Sequence, residues 1–237
     1  MSSSPRPSSV IGVPAADRFW ADAVVVLAPD DPRPGAWAGG PSAQLVDGTW
    51  WLAYRLRRPV GEGRGFGNVV ARSADGVRFT PVAEIGKDAF GAESLERPAL
   101  VHTPDGRWRL YVSCATPGTK HWRVDLLEAG SVAELASATP RTVLAGSLTA
   151  AVKDPVIRHD GRATAAENWE ERTGLAVSDG NGAFTAVGDA PVLQSPHPPF
   201  GLRYADVVAL PDGGARWFYE ATRADGAHEL RTVLLPG

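Results

Sequence analysis

The sequence predicts an all-β protein of the β-propeller class, and three observations support this. Proline opens a short apolar run at Pro41, Pro98 and Pro155, and successive prolines are 57 positions apart both times. A fourth copy, "YADVVALPDG" at 204–213, has Ala205 at the place of the proline. Each of the four runs ends in Asp-Gly, and signals for helices are scarce, apart from "SVAELASA" at 131–138. Recurrence at this period is typical of a repeat architecture.

Each repeat is predicted to contain four antiparallel strands. Asp-Gly between two β-rich runs indicates a tight hairpin turn, because both residues tolerate positive φ. Aromatic runs follow the turn in three copies: "TWWLAYRLR", "RWRLYVSCA" and "ARWFYEATR". Third strands are expected at 68–76, 121–129, 173–180 and 229–235, and fourth strands at 79–85, 141–146 and 184–188. Four strands per repeat of about 50 residues describe the blade of a propeller.

The last repeat has no fourth strand of its own, and we expect "WADAVVVLAP" at 20–29 to supply it and close the ring. Closure in this way would remove exposed sheet edges. A β-sandwich is the alternative fold, but it does not require such regular recurrence. We expect one propeller domain over residues 19–237, preceded by a Ser/Pro-rich disordered tail over 1–18.

Composition narrows the classes of function. The formal net charge is -3 and no Lys/Arg run occurs, which argues against nucleic acid or an anionic membrane as a partner. No signal peptide or membrane span is evident, so a cytoplasmic protein is expected. Cys114 is the single cysteine, which excludes an internal disulfide and predicts a packed core residue. The histidines lack metal-ligand spacing, and no cofactor or metal is predicted; the sequence leaves the oligomeric state open.

Several motifs resemble those of the five-bladed β-propeller glycoside hydrolases, the superfamily of families 43, 32 and 130. They are "SLERPAL", "VKDPVIRHDG", "AENWEERTGLAVSDG" and "WFYEATRADGAHELR". The resemblance implies an axial pocket with carboxylates on the innermost strands of successive blades. With four repeats visible, it also implies that one blade is missing, near Asp160–Gly161. The family's first-blade Asp-Pro falls on Gly40–Pro41, and Asp30 or Asp31 could supply that carboxylate instead.

Three carboxylates lie at the start of the first strand in successive repeats, where we interpret them as sharing one register: Glu96, Asp154 and Asp206. Glycosidases need a proton donor and a base or nucleophile on either side of the scissile bond, and like charges crowded around an axis raise at least one pKa. The alternative is that these carboxylates cap turns or pair with Arg97, Lys153 and Arg203.

Further candidates for contacts with the substrate are less specific. Arg97 and Arg203 flank the carboxylates. His121 and Trp122 could present a polar group and an aromatic platform to a sugar, although aromatic packing between blades is the commoner use. In "NWEERTG", strand alternation sends Glu171 and Arg172 to opposite faces, so at most one of them faces the pocket; a solvated charged strand explains them equally well.

The function expected from these features is hydrolysis of a glycosidic bond in a carbohydrate or small glycoside. Asp154 is expected to act as an orienting or base carboxylate and Glu96 as the acid, while Asp206 and Arg203 position hydroxyl groups. A catalytically inactive carbohydrate-binding propeller, or a protein-interaction propeller that uses its rim, is the alternative.

Overall fold

The computed structural model describes residues 16–148, 152–155, 176–178, 184–186 and 193–237. It contains one α-helix, α1 (Ala16–Ala21), and two 3₁₀ helices, Lys87–Phe90 and Ala133–Ser137. The strands are β1 (Val24–Leu27), β2 (Trp37–Val46), β3 (Thr49–Arg57), β4 (Gly65–Ser73), β5 (Thr80–Gly86), β6 (Ser94–His102), β7 (Trp108–Ala115), β8 (Trp122–Ala129), β9 (Arg141–Leu144), β10 (Ala176–Ser178), β11 (Phe184–Ala186), β12 (Leu202–Ala209), β13 (Ala215–Thr222) and β14 (His228–Leu235).

These strands form the blades of a β-propeller, which confirms the predicted fold class. Blade 1 is β2-β3-β4-β5 and blade 2 is β6-β7-β8-β9. The last blade is β12-β13-β14 completed by β1, and the third repeat contributes the pair β10-β11. The first strands are innermost, since β2 packs against both β6 and β12. The place expected for a lost blade, near 160–161, lies outside the described residues.

The N-terminal strand closes the last blade, as expected. β1 pairs antiparallel with β14, with Val24 opposite Thr232. The preceding helix, which the sequence did not predict, begins at Ala16 and so overlaps the end of the segment expected to be a tail. Phe19 of this helix is fully buried against Trp217 and Tyr219 of β13, with ring centroids 5.8 and 4.9 Å away. Apolar burial therefore fixes the N-terminal segment to the last blade.

The hydrophobic cores lie between neighbouring blades. Apolar side chains on the facing sides of adjacent sheets pack against each other there. The largest cluster joins blades 1 and 2 and contains Cys114, which is buried as expected. Burial raises the pKa of the Cys114 thiol. The helix candidate at 131–138 is observed as the short 3₁₀ helix Ala133–Ser137, which buries Leu135 in the same cluster. In the described part of the chain, no helix has the length and apolar character to cross a membrane.

Candidate functional site

The innermost strands share an irregularity near the axis that determines which side chains meet there. The hairpins β2-β3, β6-β7 and β12-β13 each shift register once, between Gly39 and Ser42, Leu95 and Pro98, and Arg203 and Asp206. The residue before the proline position has a left-handed backbone in three repeats, with φ of 62° at Gly40, 56° at Asp154 and 54° at Tyr204. Bulges re-aim side chains, and here they turn this part of each repeat toward its neighbours.

The three predicted carboxylates occupy different positions of the repeat, which corrects the expectation of a shared register. Glu96 lies two residues before its proline, Asp154 lies one before, and Asp206 lies one after the proline position. Because each position at a bulge points in a different direction, the three side chains have different surroundings. The catalytic roles expected of them stay predictions.

Asp154 is held by contacts with blade 2. Its backbone N–H donates to Ser113 Oγ at 2.7 Å, and its Oδ1 accepts the Arg97 backbone N–H at 3.3 Å. Its Oδ2 lies 3.2 Å from Lys153 Nζ. The side chain is 11% exposed, so the carboxylate is positioned but reachable. Burial raises the pKa of Tyr204; the charge of Arg55 opposes this shift and that of Asp154 adds to it.

Asp206 joins the last blade to blade 1. Its Oδ2 accepts the backbone N–H of Ala43 at 2.6 Å. Ser42, at the same place in blade 1, accepts the N–H of Leu100 in blade 2 at 3.0 Å. The residue after the proline position thus makes the same hydrogen bond across two successive blade interfaces.

This equivalence predicts how Asp206 responds to substitution. Asp206→Ala leaves the buried Ala43 N–H without this acceptor and is expected to lower the free energy of unfolding by about 1–3 kcal/mol. Asp206→Ser supplies the acceptor that blade 1 uses at Ser42, and it should recover much of the loss. Urea denaturation of both variants measures the difference. Equal stability of the two variants would contradict the interface role.

A chain of buried ion pairs crosses the axis and links three blades. Glu96 of β6 pairs with Arg55 of β3 through a close Nη1–Oε2 contact. Arg55 Nη2 lies 3.0 Å from Glu220 Oε2 in β13, and Glu220 Oε1 lies 2.7 Å from Arg203 Nε in β12. We call Glu96, Arg55, Glu220 and Arg203 the axial ion chain. It joins blade 2 to blade 1 and blade 1 to the last blade.

Glu220 is the most enclosed member of the axial ion chain. Its side chain is 0% exposed, and Oε1 also lies 2.8 Å from His228 Nδ1. Burial alone would raise the pKa of this carboxyl, but Arg203, Arg55 and His228 together hold it well below its usual range. A Cβ at Gly39 would overlap the Glu220 carboxylate, so glycine there is what allows Glu220 to reach Arg55.

Five residues at this site were not predicted from the sequence. They are Arg55, Glu220 and His228, together with Arg57, which also pairs with Glu96, and Trp37, which stacks on His228. A signal was present, because Arg55 and Glu220 are charged residues inside the aromatic second-strand runs. Strands packed on both faces seldom carry charge unless it is paired. The partners of Arg55, Glu96 and Glu220, could not be predicted from the sequence, since they lie 41 and 165 residues away along the chain.

Among the predicted substrate-binding residues, Arg97 and Arg203 do come together. Their guanidinium carbons lie 5.7 and 5.2 Å from the ring centroid of Tyr204. Arg97 also donates from Nη2 to the Pro41 carbonyl at 3.1 Å. Arg203 belongs to the axial ion chain and so links this aromatic ring to Glu220.

The remaining predicted residues make contacts of their own. His121 uses both ring nitrogens locally, 2.8 Å from Thr116 Oγ1 and 2.6 Å from the Ala145 carbonyl. Trp122 contacts Lys153, whose Nζ lies 5.6 Å from the ring centroid. Asp31 is engaged by Arg33, whose side-chain hydrogen bond lowers the pKa of that carboxyl. Glu171, with the rest of "NWEERTG", lies outside the described residues.

No cluster of three or more His, Cys, Asp or Glu side chains within the described ranges could hold a metal ion. The site that the described residues do form is an array of guanidinium, carboxylate and aromatic groups at the axis of a β-propeller. Solved structures that are similar to this chain also belong to the β-propeller class.

The fold is that of the family 43 glycoside hydrolases of known structure. The chain is similar to the GH43_1 enzyme from Xanthomonas citri complexed with xylotriose, at 12% identity and a TM-score of 0.60, over 93% of this chain and 92% of that one. It is also similar to the β-xylosidase RS223, at 9% identity and a TM-score of 0.59, over 87% and 94% of the two chains.

A third similar structure is CoXyl43, a β-xylosidase/α-arabinofuranosidase from a compost microbial metagenome. It matches at 11% identity and a TM-score of 0.54, over 88% of this chain and 93% of that one. No family profile matches the sequence, and no curated protein is similar to it in sequence. The likeness therefore lies in the fold.

Proposed function

We propose that this protein is a glycoside hydrolase-like propeller that binds a carbohydrate at its axis and cleaves a glycosidic bond with Asp154 as the reacting or orienting carboxylate. The observation that carries the proposal is the position of Asp154. It lies next to the axis, fixed by Ser113 and by the Arg97 backbone, and it remains partly exposed. The similar fold of enzymes solved with xylose and xylotriose supports xylosides as the first substrates to try.

In this proposal Asp154 is oriented by contacts at both of its oxygens. Oδ1 accepts the Arg97 backbone N–H, and Oδ2 lies 3.2 Å from Lys153 Nζ. A carboxylate can accept a proton from an attacking water or hold a sugar hydroxyl by a charge-assisted hydrogen bond. Arg203 and Tyr204 are the neighbours proposed to hold further hydroxyl groups.

Glu96 is the residue proposed as proton donor, and its contacts define the competing role. Arg55 and Arg57 both pair with this carboxylate, at Oε2 and at Oε1 respectively. Two guanidinium groups favour the ionised form, whereas a general acid must carry a proton. The competing role of Glu96 is to hold the two arginines in place. Substrates whose leaving groups differ in their need for protonation distinguish the proton-donor role from this positioning role.

The test is hydrolysis of xylo-oligosaccharides and of aryl xylosides with activated leaving groups by the full chain. Asp154→Asn is expected to lower kcat/KM on both substrates by at least about 100-fold, the lower range for loss of an acid–base group. Circular dichroism should show an intact fold. Asp88→Asn, on an outer 3₁₀ helix of blade 1, is the control with the same chemical change. Equal activity of Asp154→Asn and wild type would refute the assignment.

Glu96→Gln separates the two roles of Glu96 in the same assay. Loss of a proton donor should reduce cleavage of the oligosaccharide far more than cleavage of an aryl xyloside that needs no protonation. Loss of a positioning residue should reduce both by a similar factor.

One observation favours a second candidate, a binding protein without turnover. Gly40 takes the same left-handed position before Pro41 that Asp154 takes before Pro155, so blade 1 offers no carboxylate at the place equivalent to Asp154. Calorimetric binding of xylotriose by wild type, with no product released, would identify this function.

A further inference from the structure

Three guanidinium groups surround the ring of Trp37 in the described part of the chain. The guanidinium carbons of Arg57, Arg203 and Arg55 lie 4.3, 4.4 and 5.2 Å from its centroid. Glu96 pairs with both Arg55 and Arg57, and Glu220 pairs with both Arg55 and Arg203. Arg57 therefore shares its carboxylate and has none of its own among the described residues.

Arg57 is the least well paired of these three arginines. Its Nη1 shares Glu96 with Arg55 at a long distance, 3.3 Å. Its Nε is buried and donates to no group of the described chain. Its side chain is 16% exposed, so it is largely removed from water without an anion of its own. Burial, followed by the charges of Arg55 and Arg203, lowers the pKa of Arg57 to about 10.

Other buried donors near Arg57 also lack partners. Trp37 Nε1 and Arg55 Nε are buried and unpaired within the described residues. A buried polar group without a partner costs roughly 1–3 kcal/mol, and more when it is charged, so native proteins rarely retain one without a bound water, ion or ligand. These three N–H groups belong to Trp37 and to two arginines that lie over its ring, and together they indicate a place that accepts an anion.

We propose that Arg57 binds the carboxylate of an acidic sugar, so that the protein selects a uronic acid over the neutral sugar. The planar guanidinium presents parallel N–H groups that match a planar carboxylate in a bidentate pair. A sugar acid brings one negative charge to an arginine that otherwise only shares Glu96 with Arg55. The assignment of this carboxylate to a sugar rests on the proposed function, whereas the anion site at Arg57 does not.

Calorimetric titration of the full chain with sodium glucuronate and with glucose tests this directly, because the two differ only in the carboxylate at C6. We expect wild type to bind glucuronate at least about tenfold more tightly than glucose, as charge-assisted bonds to Arg57 require. Arg57→Gln should bring both affinities to the same value. Arg57→Lys keeps a charge but loses the planar fork, and it should retain only part of the preference.

Arg78→Gln is the matched control, since it removes the same charge from an 89% exposed side chain on the β4–β5 turn. It should bind glucuronate like wild type. Equal affinity of wild type for glucose and glucuronate would overturn the proposal. This comparison uses only the wild-type protein and so does not depend on whether a variant folds. Phosphate or sulfate binding as tightly as glucuronate would overturn the assignment to a sugar acid.

The same experiments separate this inference from the proposed function. Preference for glucuronate without any hydrolysis would keep the anion site and refute the catalytic proposal. Hydrolysis of neutral xylosides with no preference for glucuronate would keep the catalytic proposal and refute the anion site.

Discussion

Glu220→Gln is expected to lower the free energy of unfolding by about 3–5 kcal/mol, the usual effect of removing one partner from a buried ion pair. Glutamine fills nearly the same volume but brings no charge, so Arg55, Arg203 and His228 would face one another in a site closed to water. Against a typical domain stability of about 5–15 kcal/mol, this is a large fraction. Urea denaturation followed by tryptophan fluorescence measures it.

Glu128→Gln is the control for Glu220→Gln. Glu128 pairs with Arg107 and Arg109, but its side chain is 26% exposed and its partners are more exposed still. Surface pairs contribute about 0–1 kcal/mol, so this variant should be close to wild type. If both variants lose the same stability, the axial ion chain does not hold the blades together.

The pH dependence of stability should separate wild type from Glu220→Gln. Because the folded pKa of Glu220 lies below its ordinary value of 4.5, the carboxylate stabilises the fold fully above that value. The contribution is lost as pH falls from about 4.5 through the lowered folded pKa. The stability difference between wild type and Glu220→Gln should therefore be constant near neutral pH and shrink in acid.

Gly65→Ala is expected to cost at least about 3 kcal/mol, at or above the upper range for overpacking a core. Gly65 begins β4 where blade 1 meets blade 2, and its N–H donates to Ser94 Oγ at 3.0 Å. A Cβ there would overlap the carbonyl oxygen of Leu95, which is backbone and cannot rotate away. The two blades would have to separate, and the core cluster between them would open.

Gly86→Ala, at the end of the outer strand β5 of the same blade, is the matched control. A Cβ at Gly86 meets nothing within 4 Å, and its backbone, with φ of -77°, suits alanine. We expect it to unfold at the same urea concentration as wild type. A Gly65→Ala protein as stable as Gly86→Ala would show that the interface between the two blades is not packed as described.

Much of the architecture was determined by the sequence alone, because its signals are local. Asp47–Gly48 fixes the β2-β3 turn, with φ of 49° and 76°, and the run "TWWLAYRLR" that follows it is observed as β3, Thr49–Arg57. The closing strand was also predictable, since a repeat that lacks its fourth strand requires one from elsewhere. Such features depend on residues a few positions apart.

The tertiary structure alone decided which charges meet. Glu96, Asp154 and Asp206 all lie at the start of a first strand, but at different positions relative to the proline. The surroundings of these positions send one into an ion pair, one toward the axis and one onto a neighbouring strand. Arg55 lies 41 residues from Glu96 and 165 from Glu220. Pairing over such separations depends on the position of each blade around the axis, and no local pattern encodes that position.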